Sequence, residues 1–308
     1  MKYVADIDMV CILGATASGK TRLAAALAAA TDGEIISADS RQVYRGMNIG
    51  TGKDLGAYVV NGKRIPYHLI DIVDPGQEFS IFDFQRAFLN EYKEIRSRNK
   101  LVILCGGSGM YLDSVLFRYR LVHVPEEPRL RAELEKESDE RLIERLSKLR
   151  RLHNITDITD RNRLIRAIEI ETYSRAHPDA AVEFPRIRTK VYGIRWKRSE
   201  LRRRITARLK ERLESGLIQE VGNLLDSGLS SEHLDSYGLE YRYVTQYVCG
   251  KLNGNDMFQK LNAAIHKFAK KQETWFRRME KKGISIIWIP GELPLKDKLV
   301  KLLERGKV

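Results

Sequence analysis

Short apolar runs alternate with longer amphipathic stretches through the first 120 residues of the chain. Met9–Leu13, Glu34–Ala38, Tyr67–Ile72 and Leu101–Cys105 have the length and apolar richness of buried strands. Between them, Thr21–Ala30, Ile81–Arg98 and Met110–Tyr119 carry helical spacing. Strand and helix in alternation predict a parallel sheet with helices on both faces. From Pro125 to about Ala176 the pattern turns helical and strongly charged, with Pro178 and Pro185 after it. Prolines at both edges predict an inserted helical subdomain. Lys190–Trp196 then returns as a strand. Glu200–Glu214, Ile218–Leu225, Glu240–Cys249 and Met257–Lys281 read as helices, and Ile284–Ile289 as a last strand before a short terminal helix. The expected division is a catalytic core of residues 1–120 and 190–308, with a helical insertion over 121–189.

One turn of this pattern carries specific chemistry. Gly14-Ala15-Thr16-Ala17-Ser18-Gly19-Lys20-Thr21 fits G-x-x-x-x-G-K-T, the P-loop pattern, between an apolar strand and an Ala/Leu-rich helix. The glycines let successive backbone N–H groups face one anion, and the helix adds its positive end. Lys20 supplies a compact charge, and the Thr21 hydroxyl can ligate Mg²⁺. The motif predicts a bound di- or triphosphate. The fold class that follows is α/β: a P-loop NTPase-like parallel sheet flanked by helices, with the helical insertion.

Such a sheet binds its substrates at the carboxyl ends of the strands. Asp39 ends a strand there and is followed by Ser40-Arg41-Gln42. It can hold a metal through water or take a proton from a nucleophile, or it can cap a helix. Gly106-Gly107-Ser108-Gly109 follows another strand and opens a helix, with the Ser108 hydroxyl as donor and acceptor. Gly50-Thr51-Gly52-Lys53 is a weaker turn of the same kind. Arg204, Arg208 and Arg212 recur every four residues beside an apolar stripe of Leu201, Ile205, Leu209 and Leu213. They suit phosphate or a solvated face equally. Arg163 and Arg166 share a face of a helix opened by Asp160. His68 has no evident metal partner and reads as structural.

Charge adds a partner. The 308 residues carry 54 basic and 41 acidic side chains, a net +13, unevenly spread. Arg186–Arg212 holds twelve Lys or Arg against two acids, and Lys267–Lys282 seven against two. A stripe of this kind is the footprint of a polyanion, with nucleic acid favoured over a merely solvated surface. Cys11, Cys105 and Cys249 lack metal-ligand spacing, and an odd count argues for reduced thiols. No apolar run has membrane-spanning length, and Asp6 and Asp8 precede the first apolar run. The expectation is a cytoplasmic protein, a monomer, without a membrane anchor.

These motifs, in this order, resemble the tRNA dimethylallyltransferase (isopentenyltransferase) family. The matching segments are GATASGKT at Gly14–Thr21, ISADSRQVYRGMNIGTGK at Ile36–Lys53, and GGSGMY at Gly106–Tyr111. Further matches are NRLIRAIE at Asn162–Glu169, RITAR at Arg204–Arg208 and FAKKQETWFRR at Phe268–Arg278. The resemblance implies transfer of a dimethylallyl group from its diphosphate to the exocyclic amine of the adenine beside the 3′ end of a tRNA anticodon. It implies that Gly14, Ala15, Thr16, Ala17, Ser18, Gly19, Lys20, Thr21 and Arg208 hold the donor diphosphate, with Mg²⁺ on Thr21. Asp39 would act as general base, and Ser108 would position the amine. Asp39, Ser40, Arg41, Gln42 and Ser108 would hold the flipped adenine, while Asn162, Arg163 and Arg166 contact the anticodon stem-loop. The chain departs from the family pattern at Ala15 for proline, Ser108 for threonine, Asn162 for glutamine, Gly52 and Asp54 for alanine and proline, and across Tyr237–Arg242. The competing readings are a small-molecule or nucleotide kinase, a prenyltransferase acting on free AMP, and a non-enzymatic RNA-binding paralogue.

Overall fold

A computed structural model describes residues 7–150, 160–178 and 183–304. Backbone contacts divide the chain into two units, 1–117 with 186–308, and 118–185.

The first unit is built on six strands: β1 (Met9–Gly14), β2 (Glu34–Ala38), β5 (Tyr67–His68), β6 (Val102–Gly106), β7 (Thr189–Arg195) and β8 (Ile286–Pro290). Their order is β5-β2-β6-β1-β7-β8, every pair parallel. The central strands β1, β2 and β6 are buried along their whole length, which is why they lack polar alternation. Val10, Ile12, Ile35 and Ile103 share one apolar cluster with Leu23, Leu27 and Leu302. These come from α1 (Lys20–Thr31) and α12 (Leu295–Glu304), which cover that face. Against the sheet also packs α2 (Ile81–Ser97), opened by a capping box between Ser80 and Asp83, and α3 (Gly109–Leu116) packs on α2. A second cluster joins Val43 and Met47 to α7 (Arg198–Glu214), α8 (Leu217–Asp226), α9 (Ser231–Ser236), α10 (Leu239–Val248) and α11 (Gly254–Lys281).

Two expected elements are shorter than their apolar patterns. The strand expected over Tyr67–Ile72 pairs only through His68, because Leu69 and Asp71 take positive φ values of 61° and 57°. That left-handed backbone cannot continue an extended ladder. The helix expected over Met110–Tyr119 ends at Leu116, and Arg118 turns left-handed at φ 52°. The short helix α9 and a small hairpin lie outside the sequence reading. β3 (Val59–Val60) and β4 (Lys63–Arg64) form a hairpin around Asn61-Gly62, both at positive φ. Asn-Gly is the strongest short hairpin signal.

The second unit holds α4 (Pro128–Leu134), α5 (Asp139–Leu149) and α6 (Arg161–Ala176). Ser138 and Asp160 cap the last two, accepting from the N–H groups of Arg141 and Arg163. Among the described residues its core is six buried side chains: Leu134, Leu142, Leu146, Leu164, Ile165 and Ile168.

Candidate active site

The strand order decides which turns meet. Because β6 lies between β2 and β1, the Ser108 turn sits between Asp39 and the phosphate loop. In that loop Ala17 and Gly19 adopt left-handed φ values of 59° and 89°. The N–H groups of Gly19, Lys20 and Thr21 have no protein acceptor among the described residues, so they are available to an anion. Burial lowers the Lys20 pKa and neighbouring Arg208 lowers it further, while Asp39 and Asp54 oppose them. Asp39, Arg208 and Asp54 thus all act electrostatically on Lys20. The Thr21 hydroxyl makes no protein hydrogen bond among the described residues, and none of those residues forms a cluster of three His, Cys, Asp or Glu suited to a metal.

Asp39 and Ser108 are held from opposite sides. The Asp39 carboxylate accepts from the Arg41 N–H at 3.0 Å, an Asx turn that directs the side chain at the strand end. Ser108 is the N-cap residue of α3, but its hydroxyl makes no bond to that helix. It accepts from the Ser40 N–H at 3.0 Å and lies 3.3 Å from the Ser40 hydroxyl, tying the two turns together. The glycines before it allow this approach. A Cβ at Gly106 would stand 2.1 Å from the Ala38 carbonyl oxygen, and one at Gly107 would stand 2.6 Å from Gln272 Nε2. Gln42 faces Ser37 and donates to the Gly52 carbonyl at 3.1 Å.

The Gly50–Lys53 turn has a different part from the one its composition suggests. Lys53 is 2% exposed and donates to the Tyr44 carbonyl, Asn48 and Asp71, so its charge is used within the fold. Glu220 accepts from the N–H groups of Asn48, Ile49 and Gly50 and from the Tyr241 hydroxyl, all within 2.9 Å. Loop 48–54 is thereby pinned against α8. From α7, Arg208 reaches Asp54 at 2.6 Å and the Gly52 carbonyl at 3.4 Å. Burial, and then Arg212, hold its pKa below the ordinary arginine range, against the pull of Asp54. Arg212 is paired with Glu240 at 2.9 Å. Arg204 lies over the Trp196 ring at 4.3 Å and donates to the Ala17 carbonyl at 3.0 Å, so it braces the loop from outside.

Sequence reasoning missed Gln272, which links the two main turns. Its side-chain oxygen accepts from the Thr16 N–H at 2.9 Å, and its nitrogen donates to the Gly107 carbonyl at 2.9 Å. The only signal was its place in the Phe268–Arg278 segment. Trp196, likewise unremarked, donates to the Ser18 carbonyl at 3.0 Å.

The residues expected to meet RNA fall into two groups. Ser40, Arg41, Gln42 and Ser108 gather around Asp39 as described. Asn162, Arg163 and Arg166 lie on the first turns of α6 in the helical unit. Asn162 and Arg163 are exposed. Arg166 is bound within that unit, to Glu169 at 3.0 Å and the Val124 carbonyl at 2.6 Å. Cys11 and Cys105 are buried, with burial raising both thiol pKa values, Cys105 to about 12, and Cys249 is exposed. His68 bridges Glu34 and Glu91, the structural part expected of it.

Residues 42–279 match the family model described as IPP transferase. A tRNA dimethylallyltransferase 2 of Phocaeicola vulgatus is 56% identical over 296 residues, covering 96% of each chain. The chain belongs to the IPP transferase family. Another member, a tRNA dimethylallyltransferase 2 of Syntrophotalea carbinolica, is 58% identical over 92% of this chain and 94% of its own. The family fold is shared with the solved tRNA isopentenylpyrophosphate transferase of Bacillus halodurans, at TM-score 0.69 and 30% identity over 96% of this chain and 94% of that one. The P-loop in this family member therefore sits in a prenyltransferase, and the kinase reading of it is set aside.

Proposed function

We propose that this protein transfers a dimethylallyl group from dimethylallyl diphosphate to the exocyclic amine of the adenine next to the 3′ end of a tRNA anticodon. The observation that carries the reading is the run of three adjacent strand ends. A diphosphate cradle, a hydroxyl and a carboxylate follow one another across β1, β6 and β2. An amine placed between its base and the departing diphosphate needs that order.

In the reaction, the amine nitrogen forms a bond to the first carbon of the dimethylallyl group as that carbon's bond to the diphosphate oxygen breaks. The electron pair of the broken bond leaves with diphosphate, and the amine proton passes to Asp39. An aryl amine is a weak nucleophile, so the rate depends on stabilising the departing charge and on alignment. Lys20, Arg208 and the free loop N–H groups meet the diphosphate. Ser108, fixed through Ser40, aligns the amine. Gln272 keeps the two turns in register. Mg²⁺, held by the Thr21 hydroxyl and completed by donor oxygens and water, would neutralise part of the diphosphate charge. The adenine leaves its stack to be reached, and Ser40, Arg41 and Gln42 are the groups nearest to receive it.

Asn162 and Arg163, with the two basic stripes, are read as contacts to the RNA backbone. Arg166 then serves by holding the helix that presents them. Cytoplasmic location and action as a monomer complete the reading. Among the described residues no helix is long and apolar enough to cross a membrane. The test is diphosphate release from dimethylallyl diphosphate that depends on added tRNA. Formation of ADP from ATP without such release would overturn it.

A further inference from the structure

The mechanism above leaves one charged group at the phosphate site unused. Asp54 stands at the end of the pinned loop 48–54, with Oδ2 2.6 Å from the Arg208 guanidinium. Its side chain is 57% exposed, against 25% for Arg208. Asp54 begins the single helical turn Leu55–Tyr58, yet its carboxylate makes no capping bond there. Capping does not explain its position. The same carboxylate acts electrostatically on Lys20. One cation that would receive a diphosphate therefore already holds an anion.

The backbone around it is arranged for this contact. Lys53, the preceding residue, is anchored below by three oxygen acceptors, and Glu220 grips the loop's other end. Gly52 has φ 66°, and a Cβ there would stand 1.7 Å from an Arg212 nitrogen and 2.7 Å from an Arg208 nitrogen. The missing side chain leaves room for both guanidinium groups beside the loop. Asp54 is thus held at the cations by its loop.

We infer that Asp54 is a tethered competitor of the diphosphate, a residue that sets donor affinity and product release. The inference rests on the proposed function. In the empty site Asp54 orients and neutralises Arg208. An arriving diphosphate displaces it or bears its repulsion. The carboxylate therefore weakens the binding of donor and of product diphosphate alike. Weakening both bound states equally raises KM and speeds release. An exposed ion pair adds little to stability, so removal of the charge leaves the fold intact.

The test is calorimetric titration of inorganic diphosphate, with Mg²⁺ present, into the full-length protein and its Asp54→Asn variant. Asparagine keeps an acceptor oxygen and removes the charge. We expect the variant to bind about three- to tenfold more tightly at low salt. The gain should shrink as salt rises and screens the repulsion, and should shrink again in an Arg208→Ala background, since the two sites are coupled. Asp54→Glu, which keeps the charge, should show no such gain. Equal or weaker diphosphate binding by Asp54→Asn at low salt would overturn the inference while leaving the proposed function in place. Absence of diphosphate binding by the unaltered protein would overturn both.

Discussion

The two units of this chain place arginines on helices at similar spacing and use them in opposite ways. In the helical unit, Arg131 makes two bonds to Glu169, at 3.0 and 2.9 Å, and Arg166 adds a third. The Glu169 side chain is 1% exposed. Burial alone would raise its pKa, but the two guanidinium groups outweigh burial and hold the pKa below the ordinary glutamate value. Glu126 also meets Arg131, at 2.9 Å, so two carboxylates match the two arginines, in a unit whose core holds six buried apolar side chains among the described residues. In the sheet unit, among the described residues, Arg208 pairs only with the exposed carboxylate of Asp54 and Lys20 makes no ion pair. Those charges are not matched. A matched set holds a fold together, whereas an unmatched one awaits a ligand. The partner of each arginine, which spacing along a helix does not specify, decides which it is.

The sharpest way to break this contrast is at Asp39. Asp39→Asn is nearly isosteric and cannot accept the proton, so turnover should fall by about 10²–10⁴-fold. tRNA binding should persist. A fall in tRNA affinity with unchanged turnover would make Asp39 a binding residue instead. Lys20→Ala comes next. Losing a preorganised charge at the leaving group should raise the barrier by about 2–4 kcal/mol, with an unchanged melting temperature. Unchanged prenylation would refute the phosphate-loop assignment.

In the helical unit the expected loss is of stability. Glu169→Gln removes the buried carboxylate shared by two arginines, leaving Arg166 unpaired and Arg131 with Glu126 alone, and should destabilise the unit by about 3 kcal/mol, read as earlier denaturant unfolding. The pH dependence has a definite sign. The folded pKa of Glu169 lies below its unfolded value of about 4.3. The contribution is therefore complete above that value and is lost as pH falls through the folded pKa. The smallest effect separates neighbours on α6. Arg163→Ala should leave unfolding unchanged and reduce the salt slope of tRNA binding by about one unit. Arg166→Ala should lower stability instead. The reverse pattern would exchange their parts.

Much of the sheet was legible because fully buried strands leave continuous apolar runs and the P-loop has fixed spacing. Asp39 and Ser108 were legible as the polar residues that end such runs. What the sequence could not give was pairing across distance. Gln272 meets Thr16 across a sequence separation of 256, and Glu220 grips backbone N–H groups that carry no side-chain signature. Lys53 looked like a phosphate ligand by composition and is a buried internal cation. Only the course of the chain at Asp71, with its left-handed φ, brings the carboxylate that neutralises it. The Asn61-Gly62 hairpin was readable and small. Its flanking strands are two residues each, too short to register as a pattern.

The most direct test of the central claim is mass spectrometry of tRNA nucleosides after incubation of the full-length protein with tRNA and dimethylallyl diphosphate. The account predicts an adenosine bearing a dimethylallyl group on its exocyclic nitrogen, located beside the 3′ end of the anticodon, and its loss with Asp39→Asn. Unmodified adenosine at that position, with the protein folded and both substrates present, would contradict it.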